Sequence, residues 1–115
     1  MNVGILGGGQ LGLMLAEALT RLNTRVHILE SAAEAPCVGR VAGVMRGSVS
    51  DAAVTAEFFS RCDLVTYEFE NLEVGALRAH AEKLRPSLKV LEVSQNRINE
   101  KRFLAQLDVW PVVFQ

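Results

Sequence analysis

Three consecutive glycines, Gly7-Gly8-Gly9, divide two apolar patterns of different period near the start of this chain. Val3 to Leu6 form a short apolar run that stops at the glycines. From Gln10 the spacing changes: Leu11, Met14, Leu15, Ala18, Leu19 and Leu22 recur at helical intervals, with Glu17 and Arg21 between them. A buried strand, a tight turn and an amphipathic helix with that apolar stripe against a sheet fit this order. Asn23 and Thr24 break the helix, and Val26, Ile28 and Leu29 make a second strand ending at Glu30. A strand–helix–strand unit of this length suits a right-handed crossover between parallel strands.

The rest of the chain continues the alternation. Residues 31–40, Ala-rich and interrupted by Pro36, read as a loop or short helix, and Val41 to Arg46 as a weaker third strand. Gly47 and Ser48 turn the chain, and Ser50 or Asp51 can cap a helix running to about Arg61. Asp63 to Phe69 is rich in β-branched and aromatic residues and reads as a strand. A helix over about Glu73 to Lys83 follows, then a break at Arg85-Pro86-Ser87. Leu88 to Val93 fits strand or helix, and Ile98 to Leu107 reads as a helix. Strands alternating with helices give an α/β fold with an open, mostly parallel sheet. Ligands bind such sheets beyond the carboxyl ends of the strands, where Gly7 to Gly12, Glu30 and Tyr67 to Asn71 should meet.

Composition narrows the function classes. At 115 residues the chain holds one core rather than two. Twelve Lys and Arg against thirteen Asp and Glu exclude a general nucleic-acid binder, which needs surplus positive charge. No apolar run reaches the roughly 20 residues of a membrane span, and no basic stretch leads into an apolar signal core. Cys37 and Cys62 stand alone, as expected for reduced thiols in a cytoplasmic protein. His27 and His80 have no neighbouring Cys or second His and read as structural or surface residues, with no metal site expected.

Gly7, Gly9 and Gly12 have the G-x-G-x-x-G spacing, follow a strand, open a helix, and precede an acidic residue, Glu30, by eighteen positions from Gly12. Glycines let the backbone approach a phosphate, and the free amides and dipole of the helix start favour the anion. Glu30 can accept ribose hydroxyls. The loop specifies an anion at a helix start without specifying a nicotinamide dinucleotide; a glycine turn with no ligand is the plain alternative. Glu68 and Glu70 share one side of an extended strand, so either one leaves the strand for solvent or a ligand with hydroxyl or amine donors sits there.

GILGGGQLGLML, DLVTYEFEN and QNRINEKRFL, in this order and at these distances, resemble the N-terminal domain of the N5-carboxyaminoimidazole ribonucleotide synthetase family. In fungi this domain is the N-terminal part of phosphoribosylaminoimidazole carboxylase. The resemblance spans nearly the whole chain. It implies a Rossmann-like, pre-ATP-grasp domain over residues 1–108, with 109–115 opening a linker to an ATP-grasp domain. It also implies helix rather than strand for Leu88 to Ser94. The family is an ATP-dependent ligase of purine biosynthesis. It uses ATP, Mg²⁺ and bicarbonate to carboxylate 5-aminoimidazole ribonucleotide through a carboxyphosphate intermediate. By resemblance, Gly8, Gly9, Gln10 and Leu11 would hold the 5′-phosphate end, Glu68 would contact the ribonucleotide with Glu30 nearby, and Arg97 would contact ATP.

Three residues depart from the family pattern: Leu13 stands where Arg is usual, and Asn96 and Glu30 each replace Asp. The ATP-grasp lysines and metal carboxylates are expected beyond Pro111, so the chain reads as a piece of a longer protein that binds the ribonucleotide without turnover. Ile98 to Leu107 and the Trp110 segment would pack on the next domain, and their apolar face is a candidate for homodimer formation. Two other readings stand beside this one: a NAD-binding module of a dehydrogenase or regulatory protein, and a non-catalytic homologue.

Overall fold

The computed structural model describes residues 1–68, 72 and 74–106, with side chains described for 1–68, 72, 74–97 and 101. Strands β1 (Asn2–Leu6), β2 (Arg25–Glu30), β3 (Gly43–Arg46) and β4 (Leu64–Tyr67) form one sheet in the order β3-β2-β1-β4. Every pairing is parallel. Helix α1 (Gln10–Arg21) joins β1 to β2, and α2 (Ala52–Ser60) joins β3 to β4. After β4 come α3 (Val74–Leu77), a 3-10 helix (Arg78–Lys83) and α4 (Leu88–Gln106). The chain builds outward from β1 to β3, then crosses back to lay β4 on the other side of β1. Strand order therefore reverses between β1 and β4, where open α/β sheets hold their ligands.

Both faces of the sheet are covered, so its strands are apolar on both sides. Ile5, Val26 and Ile28 pack with Leu13 and Ala16 of α1 and with Cys37. Leu6, Leu29 and Val65 face the other way, against Phe58 and Phe59 of α2 and against Leu77, Leu84 and Leu91. The burial of Cys62 in this second layer pushes its thiol up to about 11. Asp51 caps α2, its carboxylate accepting the amides of Ala53 at 3.1 Å and Val54 at 3.2 Å. His27 bonds Asn2 Oδ1 at 3.0 Å, and His80 stacks on Phe59 at 4.6 Å between ring centroids.

The first helix is rotated from the expected setting. Its buried residues are Gly12, Leu13 and Ala16, with Leu15 and Leu19 partly covered. Leu11, Met14 and Leu22 are 64%, 64% and 72% exposed, and Ala18 is exposed too. Small residues face the sheet because the chain after β1 must pass close to it, and a close approach needs Gly and Ala rather than Leu. Leu13, where the resembled family usually has Arg, is 7% exposed and fills this core.

Other elements are shorter or joined. Residues 31–40 form turns without a helix, β3 begins at Gly43 rather than Val41, and β4 ends at Tyr67, so Glu68 leaves the strand. The expected helix to Lys83 divides into α3 and the 3-10 helix, with a non-helical His80 inside the latter. Leu88 to Ser94 is helical and runs on without a break through the segment expected as a separate helix from Ile98. Phe69, Glu70 and Trp110, and the expected domain boundary after residue 108, lie outside the described residues.

Candidate functional site

Register alone brings the site together. Leu6 pairs with Leu29 on one side and with Tyr67 on the other. The next residues along, Gly7, Glu30 and Glu68, therefore emerge side by side at the carboxyl edge of the sheet. Gly7 has φ of 105°, a left-handed setting that favours glycine, and its amide donates to Leu29 O at 2.9 Å. That turn carries the chain from β1 into α1.

The start of α1 has no cap of its own. Gly9 is the N-cap, without a side chain to offer, and the first turn holds no acidic residue. A helix start leaves four amides without intrahelical partners. Here they belong to Gly9, Gln10, Leu11 and Gly12, since Leu13 already donates to Gly9 O at 2.9 Å. Glu68 takes the first and last of the four: Oε1 accepts Gly9 N at 3.1 Å and Oε2 accepts Gly12 N at 2.5 Å. A carboxylate from the far side of β1 thus caps the helix and meets the positive end of its dipole. Gly12 must be glycine for this contact, since a Cβ there would lie 2.6 Å from Gly7 O and 2.9 Å from Glu68 Oε2.

Glu30 braces the other side of the loop. Its Oε1 accepts Gly8 N at 2.8 Å and its Oε2 accepts Ala32 N at 3.0 Å. Burial works to raise the pKa of this carboxyl, but hydrogen bonds from Ala32, Gly8 and Ser31 outweigh it and hold the group below its ordinary value. Cys37 lies under the loop, fully buried, with its amide donating to Gly8 O at 3.0 Å. Burial, then the nearby Glu68, Glu30 and Glu17, push its thiol up and keep it protonated.

Two amides remain. Those of Gln10 and Leu11 have no hydrogen-bond partner among the described residues, and both residues are exposed. The structure therefore gathers Gly8, Gly9, Gln10, Leu11, Glu30 and Glu68 at one edge, and divides their work. Gly8 and Gly9 spend their amides on internal carboxylates, while Gln10 and Leu11 keep theirs open beside Glu68. Arg97 is exposed on α4 and makes no hydrogen bond or ion pair among the described residues. Among the described residues no group of three or more His, Cys, Asp or Glu side chains could hold a metal ion. Sequence reasoning did not find Cys37 as a floor for the loop, or Gln95, whose Nε2 donates to Leu72 O at 2.7 Å beyond Glu68. A hint for Gln95 lay in its place directly before Asn96 and Arg97.

Known proteins share this arrangement of chain. N5-carboxyaminoimidazole ribonucleotide synthase of Brucella melitensis is 40% identical over 105 residues, covering 90% of this chain and 29% of that protein. The crystal structure of N5-carboxyaminoimidazole ribonucleotide synthetase from Thermus thermophilus superposes with a TM-score of 0.75 at 43% identity. That match covers 93% of this chain and 30% of the other. N5-carboxyaminoimidazole synthase from Aspergillus clavatus, solved in complex with ADP and 5-aminoimidazole ribonucleotide, gives a TM-score of 0.73 at 34% identity over 92% of this chain and 29% of that one. The chain thus spans under a third of the length of the relatives it matches. These likenesses give the nicotinamide reading of the glycine loop no support. Residues 1–95 match the family model described as the ribonucleotide synthetase preATP-grasp domain. A parallel sheet with its order reversed at β1, and a glycine turn clamped by two carboxylates, are thus the preATP-grasp domain of the ribonucleotide synthetases, and this chain belongs to that family.

Proposed function

We propose that these residues form the ribonucleotide-binding domain of an ATP-dependent ligase that carboxylates 5-aminoimidazole ribonucleotide in purine biosynthesis. The observation that carries this reading is the pair of amides at Gln10 and Leu11, without a partner among the described residues and beside a carboxylate fixed on their two neighbours. A 5′-phosphate accepts hydrogen bonds from those amides and gains from the helix dipole. Glu68 spends two acceptor sites on Gly9 and Gly12, and a carboxylate has about four, so two remain for ribose hydroxyls or an amine. Phosphate and sugar thus bind adjacent, unlike groups, and a free phosphate or a nucleoside alone satisfies only half of the site. The Aspergillus clavatus relative, solved with the ribonucleotide bound, supports this choice of ligand.

ATP, bicarbonate and Mg²⁺ belong to the activity proposed for the whole protein. Arg97 suits an ATP phosphate through its planar fork of donors. What these 115 residues contribute is capture and orientation of the ribonucleotide, without turnover by themselves. A cytoplasmic setting fits two buried free thiols. Self-association into a homodimer is the remaining partner proposal.

Thermal melting tests the binding step, because a ligand selective for the folded state stabilises it, by about 2.7 kcal/mol at a hundred times its Kd. Aminoimidazole ribonucleotide is expected to raise the melting temperature of the 115-residue chain and NAD to leave it unchanged, with Glu68→Gln losing most of the rise. A rise with NAD alone would refute the reading.

A further inference from the structure

A side chain is placed only as well as the backbone that carries it. Upstream, Glu68 is carried by β4: Tyr67 stays in register with Leu6, and the Glu68 amide donates to Leu6 O at 3.4 Å. Downstream, the next described residue is Leu72, 7% exposed and packed in the core with Leu77, Leu84 and Leu91. Its carbonyl accepts the 2.7 Å hydrogen bond from Gln95 on α4, twenty-three residues further along the chain. A carbonyl withdrawn from water and left without a partner is costly, so this bond helps to hold Leu72 in place. Leu91 is fully buried and lies one helical turn before Gln95, on the same face of α4. The core therefore fixes the helix through Leu91, and the helix holds Leu72, four residues after Glu68, through Gln95.

We infer that Gln95 is a positioning residue of this site: by holding Leu72 it seats the Glu68 carboxylate on the Gly9 and Gly12 amides, and so makes α4 part of the ribonucleotide pocket. Its effect on ligand affinity rests on the binding role proposed above; the link from Gln95 to the loop amides does not. Arg97 follows two residues later on the same helix. Movement of α4 would thus reach the ribonucleotide edge and the nucleotide-directed arginine together.

Amide hydrogen exchange of the 115-residue chain tests the link without a ligand. Gln95→Met keeps the length of the side chain and removes the donor. Gln95→Glu also keeps the size and also lacks the amide donor, and Gln95→Lys restores a donor. Loss of the hydrogen bond to Leu72 in Gln95→Met and Gln95→Glu should raise exchange at Gly9 and Gly12 about fivefold relative to Ile28 in the central sheet. Gln95→Lys should return it toward the native rate. Affinity for aminoimidazole ribonucleotide should fall by a similar factor in Gln95→Met, with no further loss when Glu68→Gln is already present, since residues acting through one contact are not additive. Unchanged protection at Gly9 and Gly12, or a rise shared equally by Ile28, would overturn the positioning role. If the native chain fails to bind the ribonucleotide while Gln95→Met still loosens Gly9 and Gly12, the binding proposal falls and the positioning role stands. If the native chain binds, Glu68→Gln weakens it and Gln95→Met changes neither affinity nor exchange, the positioning role alone falls.

Discussion

Glu30 and Glu68 use the same functional group in the same way, each accepting a backbone amide on each oxygen, but at different places in the loop. Glu30 spends both oxygens on the backbone, at Gly8 and Ala32, and serves the loop. Glu68 accepts from Gly9 and Gly12 and lies beside the amides of Gln10 and Leu11, which have no partner among the described residues. The Glu30 arrangement has a pH consequence. Its folded pKa lies below the ordinary 4.5, so the stability it adds is complete above 4.5 and is lost as pH falls through the lower folded value. Urea unfolding of the native chain and of Glu30→Gln should therefore differ most near neutrality and converge in acid. A difference that stays constant with pH would contradict the assignment. Both residues can be nominated from the sequence, Glu30 by its distance from the glycines and Glu68 by the E-F-E-N segment. Their division of labour cannot. Which amides are already occupied depends on the register of three strands, and register is a long-range property.

Among the elements, α1 shows most clearly where the sequence misleads. Its leucines and methionine form a helical stripe, yet the side of the helix that meets the sheet is Gly12, Leu13 and Ala16. Gly12 lies close against Gly7 O and Glu68, with no room for a Cβ, and this face of the helix is therefore held to the sheet edge. Periodicity weighs residues by hydrophobicity, and small residues chosen for close approach carry little weight in it. Leu13→Ala should cost about 2–4 kcal/mol, as buried leucine truncations do. Met14→Gln, one residue later in the stripe read from sequence, should shift stability by no more than about 0.5 kcal/mol. Chemical denaturation of the two variants distinguishes the settings, and equal losses would favour the stripe. Helix α4 offers the converse lesson. Leu88 to Val93 is ambiguous by pattern because it is the amino-terminal part of a 19-residue helix with little apolar periodicity. Among its described residues, Leu91 and Gln95 take part in its docking.

In the molecule as a whole, the alternation of strands and helices is enough to give the sheet, its parallel sense and the edge where a ligand would sit. The strand order β3-β2-β1-β4 adds what periodicity does not contain: the reversal at β1 that puts Glu68 opposite the glycine loop. Family likeness fixes the domain, while the chain spans under a third of its relatives. The central claim is therefore about one edge of one sheet. Titration of the ¹⁵N-labelled 115-residue chain with 5-aminoimidazole ribonucleotide, followed amide by amide, tests it most directly. Saturable shifts are predicted to be largest at Gln10 and Leu11, with smaller ones at Gly9 and Gly12 as Glu68 engages the sugar. Shifts that leave Gln10 and Leu11 untouched, or that appear there only with a nicotinamide dinucleotide, would contradict it.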